Sequence, residues 1–331
     1  MRKLLGLSLL TLVLATSSAT LSAHGQETKP VSIATRIEIN PNAFRRFDEF
    51  AAWSSKEWRL LNDVADSELE DHSLLEASLI VAGHDKKAIA EFKRKLNLSI
   101  RRCEPKLTGA KNSEPLANRM KLQAIFGHIA EEYLHGEYRA DLFDVGQTIK
   151  TGEFNCLTAT VLFHSICKAN SIDVRVLWEP SHVQCWAPMS GSTGYVVETT
   201  ASSPTNAVSP LTNISKIKGR PLSPTEFVGK IFYNRGVRAL NNDQYPTALI
   251  STWACCVLDD ADRPAQSNLR ACINNWALFS AQQENVAMVQ RLFDVGMKLD
   301  PKYEPFSRNR AILLDEDDDP TSSATSVRTP L

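Results

Sequence analysis

Apolar positions along the chain change period twice. Over residues 43–103 they recur near helical spacing, with Phe44, Phe47, Phe50, Ala51, Trp58 and Leu61 as the first stripe. Helices at 73–82 and 86–102 continue it. After a loop at 109–115, residues 119–138 form another amphipathic helix with Ile125, Ile129 and Tyr133 on one face. The period then shortens. Residues 173–178, 182–187 and 195–200 are β-rich, and the last two runs flank the turn-forming 188–194, Pro-Met-Ser-Gly-Ser-Thr-Gly. From Thr225 to Leu314 the pattern is helical again. Helices, then an antiparallel hairpin, then helices predict an α+β fold.

The two ends read differently. Arg2 and Lys3 precede an apolar run from Leu4 to Ala15, and Ala19 and Ala23 are candidate cleavage positions. That order predicts a signal peptide at 1–23, export to the periplasm or outside, and no integral membrane domain after cleavage. Residues 24–42, polar with Pro30 and Pro41, read as a linker. Residues 315–331 are acidic, then Ser/Thr-rich, and read as a disordered tail.

Composition narrows the function classes. A net charge of −1 gives no electrostatic case for nucleic acid or an anionic membrane. Seven cysteines, an odd number at spacings unlike a zinc ribbon, leave at least one thiol unpaired within the chain. His128, Glu131, Glu132 and His135 share a helix face at 119–138. The face reads as solvated, not metal-binding, so no metal or cofactor is expected.

Candidate chemistry centres on Cys156. Asn155 is a candidate N-cap, and an apolar run from Leu157 to Ala169 predicts a buried helix opening at Cys156. A thiol there faces orphan N–H groups and the positive end of the helix dipole, which favour a thiolate. His182 lies on the first hairpin strand and Glu198 on the second. A turn centred near Ser190 sets them opposite each other, within reach on one face. A carboxylate fixes the imidazole's tautomer, and the imidazolium stabilises the thiolate. Cys167, Cys185, Cys255 and Cys256 read as structural.

Phe154-Asn155-Cys156-Leu157-Thr158-Ala159-Thr160, Pro180-Ser181-His182-Val183 and Val197-Glu198-Thr199-Thr200 together resemble the transglutaminase-like, papain-fold superfamily. The resemblance covers about 120–312 and is closest to bacterial proteins joining such a domain to tetratricopeptide repeats. It implies Cys156 as nucleophile, His182 as base and Glu198 as orienting acid. The superfamily usually carries Asp in the third role, so Glu198 is a departure.

The repeats are read at Asn234-Arg235-Gly236-Val237 with Tyr245 and Ala248, and again at Asn275-Trp276-Ala277 with Phe293 and Asp300-Pro301. Gly236 and Ala277 lie 41 residues apart. The usual repeat is about 34, so a longer loop is expected around 260–264. The organisation expected is a helical region at 43–118, a transglutaminase-like domain at 119–205, a linker at 206–224 and repeats at 225–314 that hold a protein or peptide partner. The function expected is cysteine acyl transfer or amide hydrolysis. The alternative is a non-catalytic scaffold binding through the repeats.

Overall fold

The computed structural model describes residues 55–63, 69–108, 114–189, 193–213, 215, 217 and 219–314. The leader, the linker at 24–42, the stripe from Phe44 to Ala51 and the acidic tail lie outside the described residues. Among those described, no helix is long and apolar enough to cross a membrane.

Helices come first: α1 (Ser55–Asp63), α2 (Leu74–Val81), α3 (Lys86–Thr108), α4 (Glu114–Tyr133), α5 (Val145–Thr151) and α6 (Cys156–Ala169). Ser73 caps α2 by accepting the Glu76 amide. The body of α2, Leu-Leu-Glu-Ala-Ser-Leu-Ile-Val, is apolar nearly all round. It therefore sits where helices meet, with α1, α3, α5, α6 and a later helix, Pro224–Asn241, around it.

Five antiparallel strands follow in the order β4-β3-β2-β1-β5. These are β1 (Arg175–Glu179), β2 (His182–Pro188), β3 (Gly194–Val197), β4 (Val208–Leu211) and β5 (Arg220–Leu222), with a short helix α7 (Pro204–Ala207) before β4. Val183, Cys185, Ala187 and Val197 are buried, and α6 packs on β1 and β2. The fold is thus mixed helix with a small antiparallel sheet, as the α+β expectation has it.

The sheet corrects one boundary. Residues 206–224, expected as a linker, supply both edge strands. Pro210 sits in β4 opposite Tyr195, and Pro221 in β5 opposite Leu177. Proline cannot donate to an inner ladder but is tolerated at an edge, so the segment's proline content misleads.

The C-terminal helices are α8 (Pro224–Asn241), α9 (Tyr245–Leu258), α10 (Arg263–Gln282), α11 (Val286–Leu299) and α12 (Glu304–Leu314), each packed on the next. The long loop expected at 260–264 is absent. Asp262 caps α10 by accepting the Ala265 amide at 2.9 Å, and Pro264 stands in its first turn. The extra length of the second unit therefore lies in helix α10, which runs 20 residues.

Nor is this array a separate body. The described residues fall in one unit. Phe227, Val228, Ile231 and Phe232 of α8 are fully buried, and α8 packs on α2 and β5. Arg235 of α8 pairs with the buried Glu57 of α1 at 2.5 Å and donates to the Val81 carbonyl at 2.8 Å. Trp58 and Trp253 meet edge to face at 6.4 Å. Lys230, also on α8, is buried between Asp259 (2.7 Å) and Asp262 (2.5 Å), with its ammonium 4.1 Å from the Trp178 ring of β1. Arg220 of β5 reaches the same Asp259 at 2.5 Å. One buried ionic joint therefore fastens the sheet to the helical array.

The polar face of α4 also differs from expectation. His128 is 5% exposed and bonds Ser99 Oγ at 2.8 Å, with Glu132 at 3.1 Å. Chiefly through burial its imidazole is held below its usual pKa. Of this face, His128 and Glu132 pack against α3, whereas Glu131 and His135 are exposed, as the solvated reading has it. Among the described residues no cluster of His, Cys, Asp or Glu is arranged to hold a metal.

Candidate active site

The site is assembled from three elements, beginning with the first turn of α6. Asn155 Oδ1 accepts the Thr158 amide at 3.0 Å, and Thr158 Oγ1 accepts the Asn155 amide at 3.3 Å, a reciprocal capping box. Asn155 Nδ2 donates to the Leu142 carbonyl at 2.6 Å and the Ala140 carbonyl at 3.3 Å. This buried side chain thus fixes both the start of α6 and the loop beside it. Cys156 follows as the first helical residue, and Leu157 to Phe163 sink into the core.

Of the seven cysteines, all of them free thiols, Cys156 alone is not buried. Burial pushes the thiols of Cys103, Cys167, Cys185, Cys255 and Cys272 above their usual range, and that of Cys256 up to about 12.

His182 is placed by a tight turn. Glu179 pairs with His182 in the β1–β2 register, leaving Pro180 and Ser181 as the two turn residues. Proline presets the first position, and Ser181 takes φ 68° at the second. His182 therefore opens β2 at the end of the sheet nearest the start of α6.

Glu198 follows β3. The β2–β3 register pairs Cys185 with Val197 and Pro188 with Gly194, so the hairpin centres at position 191 and not at Ser190. Continued, that register sets Glu198 opposite Gln184, not opposite His182. The shift moves the acid across by two residues, which preserves the face. His182 Nε2 and Glu198 Oε2 stand 2.6 Å apart. Glu198 Oε1 accepts the Thr200 amide at 2.9 Å and the Thr200 hydroxyl at 2.5 Å. Its own amide donates to the Ala207 carbonyl at 2.8 Å. The next residue, Thr199, meets Thr160 of α6 hydroxyl to hydroxyl at 2.9 Å, both buried. The acid's strand end is thereby tied to the thiol's helix one turn below Cys156. Gln184 is engaged with Glu179 at 3.0 Å. The three residues singled out in the sequence, Cys156, His182 and Glu198, are thus brought together.

Their electrostatics are coupled. A hydrogen bond to the Cys156 side chain and another to Glu198 push the His182 pKa up to about 10, against the opposing effect of burial. Burial alone would raise Glu198. Bonds from His182 and from the Thr200 hydroxyl and amide outweigh that and hold it below the usual carboxylate range. With a pKa near 10, His182 is an imidazolium at neutral pH.

One member of the site is absent from the sequence reading. Tyr138, placed there at the end of a helix, lies in extended chain, because α4 stops at Tyr133. Gly136 donates to the Gly152 carbonyl at 2.9 Å, and a Cβ there would lie 2.7 Å from backbone atoms of Gly152 and Glu153. Only glycine permits that approach. The Phe154 amide then donates to Glu137 (3.1 Å), the Arg139 amide to Phe154 (2.8 Å), and Tyr138 pairs with Phe154 as a parallel bridge. Burial, then the neighbouring Cys156, hold the Tyr138 phenol above its usual range. His135-Gly136, a helix stop before an extended pair, was the available signal.

No known protein family matches the sequence, and comparison with curated proteins and with solved structures yields no match either. The groups themselves define what is chemically possible here: a thiol at a helix start, an imidazolium beside it, and a carboxylate holding the imidazolium.

Proposed function

We propose that the chain is an exported cysteine enzyme of the transglutaminase-like kind, cleaving or transferring the acyl group of a peptide or other amide. The observation that carries the reading is His182, 2.6 Å from Glu198 and with its pKa pushed up to about 10 by neighbouring Cys156 and Glu198. In this reading Cys156 attacks the amide carbonyl as a thiolate. The oxyanion that forms takes hydrogen bonds from amides at the start of α6, which have no partner within the helix. The C–N bond breaks, the leaving amine takes its proton from His182, and a thioester remains on Cys156. Water or a second amine, deprotonated by His182, then attacks the thioester and frees the thiol. Glu198 holds the imidazole's orientation throughout, and its longer arm serves where Asp is usual.

The helices from Pro224 onward fit a tetratricopeptide-like array that presents a protein or peptide partner to the site. Two helix pairs and a closing helix support this, as does Gly236. A Cβ there would lie 2.9 Å from Thr252 Cγ2, the close approach such repeats require of their first helix. The leader pattern at 1–23 supports export. Profiling the mature protein against peptide amides, beside Cys156→Ser, tests the function. Amide turnover by the parent and none by the variant is the expected result; equal turnover would remove Cys156 from it.

A further inference from the structure

A groove of about 1070 Å³ is lined by α1, α2 and α3, and Cys156, His182 and Glu198 take no part in it. Sequence spacing builds its long wall. Lys86, Ala90, Arg94, Asn97 and Arg101 recur three or four residues apart, so they share one face of α3. From Lys86 to Arg101 the stripe is about 22 Å long at 1.5 Å per residue. α1 supplies Lys56, Arg59 and Asn62, and α2, which packs on both α1 and α3, lies between them.

Charge in the groove is unbalanced. Six cations line it against three carboxylates, Asp63, Asp71 and Glu76. Two of those carboxylates are committed. Asp63 accepts the Asp71 amide at 2.9 Å and stands 2.7 Å from His72 Nδ1, and Glu76 pairs with Lys93 at 2.5 Å. The other five cations have no carboxylate within ion-pair distance among the described residues. Lys56 donates to the His84 carbonyl and Arg59 to the Ser55 carbonyl, both neutral acceptors. Five such cations around one concavity make a strongly positive local potential, although the whole chain carries only −1.

The rest of the lining selects among anions. No Phe, Tyr or Trp ring lines the groove, so nucleic-acid bases find no platform to stack on. Asn62 and Asn97 carry amides, which both donate to and accept from peptide backbone. Ile80, Ile89 and Leu98, the last 40% exposed, give apolar side chains a place. We propose that this groove binds an extended acidic peptide of a protein partner, its carboxylates on Lys86, Arg94 and Arg101 and its backbone on the two asparagines. Arginine's fork suits carboxylates. At about 3.3 Å each, six or seven extended residues span the stripe.

The test is fluorescence anisotropy of the full chain with fluorescein-labelled Gly-Glu-Leu-Glu-Glu-Leu-Glu-Gly at about 150 mM salt, where exposed long-range attraction is screened. Because the readout is binding, it stands whether or not Cys156 reacts. The parent should bind saturably, and the same peptide with Gln for Glu should not. Arg94→Gln/Arg101→Gln should weaken binding about tenfold or more, and Arg94→Glu/Arg101→Glu should abolish it. Lys298→Glu/Lys302→Glu makes the latter's charge change at exposed positions outside the groove and should bind like the parent. Circular dichroism checks that each variant is folded, and the Gln pair decides if the Glu pair is not. Equal binding by the parent and the Gln pair overturns the proposal, as does a parent with no saturable binding. Inorganic polyphosphate that binds more tightly than the peptide, and loses affinity with the same arginines, would make this a phosphate-polymer site and overturn the peptide.

Discussion

His182 Nε2 lies 2.6 Å from Glu198 Oε2, although the hairpin register sets Glu198 across from Gln184. The pair is diagonal, and the carboxylate's reach closes the gap. Glu198 is also held by Thr200 through both an amide and a hydroxyl, so it is positioned before it meets the imidazole.

That arrangement gives a pH dependence. The folded-state pKa of His182 is raised, to about 10 from an ordinary 6.5. Its contribution to stability is therefore complete below about pH 6.5 and is lost as pH rises through about 10. Glu198 is lowered, so its contribution is present above the ordinary carboxylate range and lost as pH falls below it. Urea midpoints measured from pH 5 to 10 should fall with pH more steeply in the parent than in Glu198→Gln, and an NMR titration should place the variant's His182 lower. Equal slopes would remove the coupling. Activity of Glu198→Gln should drop by roughly 10²- to 10⁴-fold, with Glu198→Asp keeping part of it.

Asn155 joins the capping box to two carbonyls of the 140–142 loop. Asn155→Ala should cost about 1–3 kcal/mol, from the lost cap and the unsatisfied carbonyls. Chemical denaturation measures it. A loss below about 0.5 kcal/mol would mean that water replaces the side chain freely.

How much of this was legible in the sequence depends on the range of the interaction. The start of α6 was, because Asn155 and Thr158 make a local signature. The meeting of His182 and Glu198 was, because a two-residue register shift keeps the face. The exact register was not, since turn composition at 188–194 marks a turn without fixing its centre. Strands β4 and β5 were hidden because edge strands tolerate Pro210 and Pro221, which read as breakers. Tyr138 was hidden because its place depends on Gly136 meeting Gly152, a contact between segments. Likewise, nothing local announces that Arg235 of α8 will find Glu57 across 178 residues.

Lys230 is the keystone of the ionic joint. Asp259 and Asp262 on either side of it have side chains 0% and 2% exposed. Lys230→Met would leave those carboxylates short of a partner and should cost about 3–5 kcal/mol. Combining it with Asp259→Asn and Asp262→Asn should recover part of that loss. Urea unfolding of the single and triple variants measures both; a single variant within 1 kcal/mol of the parent would contradict the joint.

Because α8 is core to the whole unit, removing residues 225–314 should abolish cooperative unfolding, not release a trimmed domain. Phe227, Ile231 and Phe232 are all 0% exposed, and their loss would uncover α2. Circular dichroism on heating checks this. A truncated chain that still melts cooperatively and still reacts at Cys156 would mean that the helical array is dispensable.

The central claim is that Cys156 is a nucleophile activated by His182. The most direct measurement is peptide-mapped mass spectrometry of an acyl adduct, after brief exposure of the folded protein to an activated ester at pH 6–7. The account predicts one thioester, on Cys156, absent in Cys156→Ala and formed far more slowly in His182→Ala. The other six thiols, buried and pushed up in pKa, should stay unmodified until the protein unfolds. Adducts spread over several cysteines, or an unimpaired rate in His182→Ala, would contradict it.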